Sequence, residues 1–234
     1  DVQNITPDMV AAQIDAVYTD IPPAAVKIGM VSSAELICTI ADRLEAHHAR
    51  HIVLDPVMVA TSGAKLIDDD AITALTERLF PLAEVITPNI PETEVLLDLI
   101  AHRGASLDPA KWAEDTDRES TRIVSDTAME DAGRTVSEHY GCAVLVKGGH
   151  GVADASDLLY ADGVATWIHG VRVDNPNTHG TGCTLSSAIA SNLAKGEALP
   201  DAIRHAKDYL TGALGAQLNL GHGSGPMDHA WHWR

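Results

Sequence analysis

The sequence predicts an α/β protein built on a mostly parallel sheet, and three observations carry that expectation. Apolar runs of strand length alternate with stretches of helical period along most of the chain, the pattern of βαβ units. Short segments rich in Gly, Pro and Asn follow several of the apolar runs, where open α/β sheets place their ligands. The chain has 234 residues, 45% of them hydrophobic, enough for one sizeable core and a single domain over 1–234.

In chain order, a helix is expected at 7–17, and the run Ala25-Val26-Lys27-Ile28-Gly29 reads as the first strand. A helix at 33–46, a strand at 51–55, a helix at 70–80 and a strand at 84–87 continue the alternation. Asp68-Asp69-Asp70 reads as acids that cap a helix start and suit its dipole. After a helix at 91–99 comes the one compositional break, 101–140, which is polar and carries nine acids against five bases. It reads as an acidic surface insertion away from the chemistry, with its last helix at about 127–140. A strand at 143–147 and a hairpin from 157–160 to 165–169, turning across Ala161-Asp162-Gly163, follow. Helices at 181–195 and 200–218 and a Gly-rich tail complete the chain.

The charge balance excludes several functions. With 33 acids against 16 Lys and Arg, the net charge is -17. A broad nucleic-acid or anionic-membrane surface needs clustered positive charge, and there is none. No apolar run approaches the ~20 residues of a membrane span. Three scattered cysteines, Cys38, Cys142 and Cys183, make no disulfide framework, and with no export signal in view the expected location is the cytoplasm. His47, His48 and His51 cluster after a helix, yet no Cys or carboxylate at metal-site spacing accompanies them.

The sharpest local signal is Asn177-Thr178-His179-Gly180-Thr181-Gly182-Cys183, two glycines that open a helix. Glycines let backbone approach a ligand closely, and the free N–H groups of a first helical turn then face an anion. Cys183 falls in that turn, where the dipole favours a thiolate. The pattern alone also fits an ordinary helix start with a small buried thiol. No Gly precedes a Lys anywhere, so there is no Walker A loop, and no third Gly completes a dinucleotide fingerprint. Three strand ends add Asp55-Pro56-Val57-Met58, Thr87-Pro88-Asn89-Ile90-Pro91-Glu92 and Lys147-Gly148-Gly149-His150. Asp55 and Glu92 suit a hard cation such as Mg²⁺ with its waters, and Lys147 offers a compact charge to phosphates. Together these are the parts for phosphoryl transfer.

These segments, with Lys27-Ile28-Gly29-Met30, resemble in order and spacing the hydroxymethylpyrimidine/phosphomethylpyrimidine kinases of thiamine synthesis, members of the ribokinase-like superfamily. Gly221-His222-Gly223 and His229-Ala230-Trp231 are similar to that family's C-terminus. The resemblance implies a three-layer α/β/α sandwich, ATP as co-substrate, Mg²⁺ as cofactor and two successive transfers. The first is to the hydroxymethyl group of 4-amino-5-hydroxymethyl-2-methylpyrimidine, the second to the resulting monophosphate. It implies Cys183 as catalytic base and contact to the alcohol, with Gly180, Thr181 and Gly182 in the anion hole. Lys147, Asn89, Thr181 and Gly182 are implied at ATP, Asp55 and Glu92 at Mg²⁺, and Met30 and Val57 against the pyrimidine ring. A small molecule and ATP are the implied partners, with no nucleic acid or membrane, and a homodimer among the assemblies allowed.

Family members begin with a strand and a segment of the type Gly-x-Asp-x-Ser-Gly-Gly-Ala-Gly that supplies substrate contacts. This chain starts at Asp1, about where that region ends, so the N-terminal βα portion of the fold is expected to be missing from it. The alternatives are a pyridoxal or pyridoxine kinase of the same superfamily and a non-catalytic nucleotide-binding remnant.

Overall fold

Strands that are apolar on both faces cannot leave either face in water, so the sheet has to be covered on two sides. The computed structural model, which describes residues 5–58, 68–101, 121–148, 155–218, 220–223 and 225–233, shows that arrangement. Its six strands lie in chain order: β1 (Val26–Ile28), β2 (Ile52–Leu54), β3 (Val85–Ile86), β4 (Ala143–Val146), β5 (Asp157–Ala161) and β6 (Val164–Ile168). β1 to β4 are parallel, and β5 and β6 add an antiparallel hairpin at the far edge. Asp162 and Gly163 both have positive φ, 51° and 77°, as the tight hairpin turn requires.

The helices are α1 (Pro7–Asp20), α2 (Ala34–Ala46), α3 (Asp69–Ala74), α4 (Ile90–Ala101), α5 (Asp126–Tyr140), α6 (Thr181–Ala194) and α7 (Leu199–Gly215). Strand alternation sorts their packing. Val53, Val85, Leu145, Leu159 and Ile168 form one core with Leu185, Ile189 and Leu193 of α6 and Ala202, Ile203 and Ala206 of α7. Ile52, Leu54, Ile86, Val144, Val146 and Leu158 form the other core with residues of α2 to α5. The result is the three-layer sandwich.

Four local differences from the sequence expectation have physical causes. α1 runs to Asp20, three residues past the expected end, and stops before Pro22-Pro23. α3 gives way at Leu75–Leu79 to a π turn and at Phe80–Leu82 to a 3-10 turn around Pro81. Asp68 occupies the N-cap of α3 without a side-chain bond to it, and Asp70 Oδ1 accepts the N–H of Ala71. α5, expected within a surface insertion, instead buries Met129, Ala132, Gly133 and Val136 against β4 and β5 and is part of a sandwich layer. Residues 102–120 of that region lie outside the described residues, as do Gly149 and His150. Two of the clustered histidines meet carboxylates, His47 with Asp15 and His51 with Glu84, each at 2.7 Å.

Candidate active site

Parallel strands end on one edge of the sheet, so residues that follow β1 to β4 share a rim. Asp55 follows β2, Thr87 to Asn89 follow β3, and Lys147 follows β4. Asn89 and Lys147 extend the β3–β4 ladder by one bridge, and Lys147 N–H donates to the Pro88 carbonyl at 2.8 Å. From that position Lys147 Nζ donates to Asp55 Oδ1 at 2.8 Å, and Thr87 Oγ1 donates to the same oxygen at 3.2 Å. Asp55 is 2% exposed and Thr87 fully buried, so the carboxylate end of this ion pair is interior while Lys147 reaches it from a partly exposed position.

Glu92 enters from the first turn of α4 through a reciprocal cap. Its Oε2 accepts from Asn89 N–H and its own N–H donates to Asn89 Oδ1, both at 2.8 Å. Burial pushes the Glu92 carboxyl up to about 7. Lys147 and the Asn89 N–H act against that rise, and the Asp55 charge adds to it.

The Gly180–Cys183 turn closes over this cluster. Gly180 is the N-cap of α6 with φ 83°, a conformation that favours glycine. Thr181 N–H turns back to the Thr178 carbonyl at 3.3 Å, which leaves the N–H groups of Gly182 and Cys183 as those the helix itself does not use. A Cβ on Gly182 would lie 3.4 Å from both Asp55 Oδ2 and Lys147 Nζ. The helix start therefore sits directly on the ion pair. Cys183 is exposed in the same turn and opens onto a groove of about 500 Å³, lined along α6 by Thr184 and Ser187 and opposite by Tyr209 and His229. Met30, 56% exposed, follows β1, and half-buried Val57 follows β2. α6 packs on those two strands.

Sequence reasoning gave no role to Thr87, Asp157, Lys207 or Asn177. Lys207 Nζ donates to Asp157 Oδ2 and to the Ala155 carbonyl, and Asp157 Oδ1 accepts from Gly148 N–H at 2.9 Å, one residue past Lys147. A readable signal existed: Lys207 falls on the buried stripe of α7 with Ala202, Ile203 and Ala206, and a Lys there requires a partner.

The family model for phosphomethylpyrimidine kinase matches residues 1–118 and 113–228. The chain is 42% identical over 235 residues to the hydroxymethylpyrimidine/phosphomethylpyrimidine kinase of Rhizobium meliloti, covering 99% of this chain and 80% of that protein. It is 43% identical to the thiamine biosynthesis bifunctional protein ThiED of Geobacter sulfurreducens, covering 97% of this chain but only 42% of that longer protein. Among solved structures it resembles a phosphomethylpyrimidine kinase from Clostridium difficile, with TM-score 0.70, 34% identity, and 90% and 78% of the two chains covered. It also resembles a pyridoxal kinase from Staphylococcus aureus in complex with AMP-PCP, with TM-score 0.80, 26% identity, and 100% and 77% covered.

Proposed function

Since the chain belongs to the phosphomethylpyrimidine kinase family, we propose that it moves the γ-phosphoryl group of ATP first to the hydroxymethyl group of 4-amino-5-hydroxymethyl-2-methylpyrimidine and then to the monophosphate so formed. The observation that carries this reading is the placement of Gly182 against the Asp55–Lys147 pair, which puts a helix start, an ammonium and a carboxylate around one small volume. Phosphoryl transfer depends on positioning and on stabilising charge at the transferred group, and these are the groups that do both.

In the first transfer the alcohol oxygen bonds to the γ-phosphorus as the bond to the departing ADP breaks, and the alcohol proton must leave. Cys183, exposed at the helix start, is the base we assign to it. The N–H groups of Gly182 and Cys183 face the transferred group, while Lys147 neutralises phosphate oxygens and is itself held by Asp55. Asn89 keeps the mouth of the ATP site in register with Lys147 through the bridge between them. Met30 and Val57, on the loops after β1 and β2, supply the apolar contacts to the ring.

The donor set also fits Mg²⁺. Asp55 and Glu92 are buried carboxylates close enough that the Asp55 charge raises the proton affinity of Glu92, and Mg²⁺ characteristically keeps its waters and takes one or two carboxylates plus substrate phosphates. When bound there it would neutralise charge on those phosphates. The three cysteines are all free, in keeping with work in the cytoplasm. No helix among the described residues is long and apolar enough to cross a membrane.

The likeness to pyridoxal kinases favours a second reading, a kinase of vitamin B6 vitamers. Coupled measurement of ADP release with the pyrimidine alcohol, its monophosphate and pyridoxal as acceptors decides between them. Higher kcat/KM with the two pyrimidines is the expected result. Turnover of pyridoxal alone would install the second reading, and no turnover with any acceptor would remove both.

A further inference from the structure

The turn that opens α6 has no side-chain cap. Its N-cap is Gly180, which has no side chain to accept an N–H from the first turn. Beyond the local bond from Thr181 N–H to the Thr178 carbonyl, a further restraint comes from 48 residues further along the chain. Asn177 is buried, 8% exposed, and both ends of its amide are used. Its Oδ1 accepts from Gly225 N–H at 2.6 Å, and its Nδ2 donates to the Leu218 carbonyl at 3.1 Å. The neighbouring residues are joined in the same way. Asn175 Nδ2 donates to the Leu214 carbonyl at 2.8 Å while its Oδ1 accepts from Asn177 N–H at 2.8 Å, and Gln217 Nε2 donates to the Asp174 carbonyl at 3.0 Å.

One close approach and one ordinary packing contact add to the joint. A Cβ on Gly225 would lie 2.9 to 3.0 Å from the amide atoms of Asn177, so a side chain there has to push that amide aside. Buried Met227 brings its Cε to 3.8 Å from where a Gly180 Cβ would be. The chain after α7 is anchored in turn, since Asp228 N–H donates to the Ala213 carbonyl at 3.2 Å.

We infer that Asn177, by gripping Gly225 and Leu218, is a positioning residue that places the 180–183 turn for phosphoryl transfer, so that the chain beyond α7 governs rate more than substrate affinity. This rests on the kinase reading of the site. N–H groups aimed at charge that develops during transfer are sensitive to small displacement, and a shift of about 1 Å costs about 100-fold in rate. The pyrimidine contacts come from the loops after β1 and β2, which the clamp does not touch.

The test compares wild type with Gly225→Ala, Asn177→Leu, Asn177→Asp, Asn177→Ala and the Asn177→Ala/Gly225→Ala double variant, each assayed well below its melting temperature. Expected are a kcat lowered about 10- to 100-fold in Gly225→Ala and Asn177→Leu, and KM values within about 3-fold of wild type. Asn177→Asp, which keeps the acceptor for Gly225 N–H, should retain more activity than Asn177→Leu. The double variant should be no worse than Asn177→Ala alone, because alanine removes the atoms that the new methyl meets. Should Asn177→Leu fail to fold, Gly225→Ala carries the comparison. Loss of activity that only follows the folded fraction, or a rise in KM at constant kcat, overturns the inference, as does wild-type kcat in the folded variants.

A readout independent of turnover separates this inference from the kinase reading. Cys183 lies in the positioned turn, so its rate of alkylation by iodoacetamide, followed by peptide mass, should change in Gly225→Ala. If wild type turns over neither the pyrimidines nor pyridoxal, the kinase reading has failed and alkylation alone decides: a wild-type rate in Gly225→Ala then overturns the clamp as well.

Discussion

Replacing Glu92 by Gln isolates the electrostatic cost of the rim. Glu92 is 2% exposed, and burial moves its carboxyl from an ordinary 4.5 to about 7. At about 1.36 kcal/mol per pH unit, the ionised side chain costs the folded protein about 3 kcal/mol once the pH is above both values. The direction follows from proton counting. Between about pH 4.5 and pH 7 the folded protein holds a proton that the unfolded chain has released, so stability falls as pH rises through that window and is level on either side of it. Glutamine is neutral throughout, has nearly the same shape, and can still accept from Asn89 N–H. Urea unfolding of both proteins without nucleotide or Mg²⁺ should therefore show Glu92→Gln gaining on wild type by about 2 to 3 kcal/mol between ~pH 5 and ~pH 8. The gap should narrow when Mg²⁺ is added, because a cation favours the ionised carboxylate. Despite its stability, the variant should lose kinase activity. A stability gap that is the same at both pH values would refute the reasoning.

Three other expectations follow from the same geometry. Cys183→Ala should depress transfer to the pyrimidine alcohol more than transfer to its monophosphate, since the second acceptor already carries an anionic oxygen; equal loss in both assays would remove Cys183 as the base. Lys207→Met leaves the Asp157 carboxylate buried beside the Gly148 N–H without its cation and should cost about 3 to 5 kcal/mol in urea unfolding. Much of that should return in a Lys207→Met/Asp157→Leu double variant. Gly182→Ala should separate stability from activity: the new Cβ fits at 3.4 Å and favours the helix by up to about 1 kcal/mol, yet it covers the Asp55–Lys147 pair. Melting temperature should hold or rise while kcat falls, and a parallel fall in both would count against the placement.

Much of the fold was legible because period and polarity are local properties. Among the described residues, the six strands and seven helices fall where apolar runs and helical stretches place them, and the rim motifs fall at strand ends, where topology gathers them. The misreadings came from averages and from distance. α5 looked peripheral because acids dominate the composition of 101–140, although Met129, Ala132 and Val136 form a stripe at helical spacing that is buried. Lys207 with Asp157, 50 residues apart, and Asn177 with Gly225, 48 apart, could not be paired from the sequence. Each partner alone is an ordinary polar residue, and only the packing of α7 and the chain beyond it brings them together. Thr87 was visible as part of a motif, but its bond to Asp55 depends on β2 and β3 being neighbours.

A net charge of -17 argues against binding ATP, and the proposed site at the rim gives a reason why the total is a poor guide. Charges more than about 8 Å away are largely screened at physiological salt, so what an incoming phosphate meets is set by the few groups around it. There the Asp55 carboxylate is matched by Lys147 at 2.8 Å, and Glu92 is close to half-protonated near neutral pH. Two acids and one ammonium thus present a local charge smaller than the single net negative that full ionisation of the three would leave. The backbone then contributes what side chains do not, the unused N–H groups of Gly182 and Cys183 at the positive end of α6. On the proposed reading, raising the proton affinity of Glu92 by burial and presenting a helix start through a residue without a side chain are therefore two parts of one solution, an anion site made without a cluster of lysines.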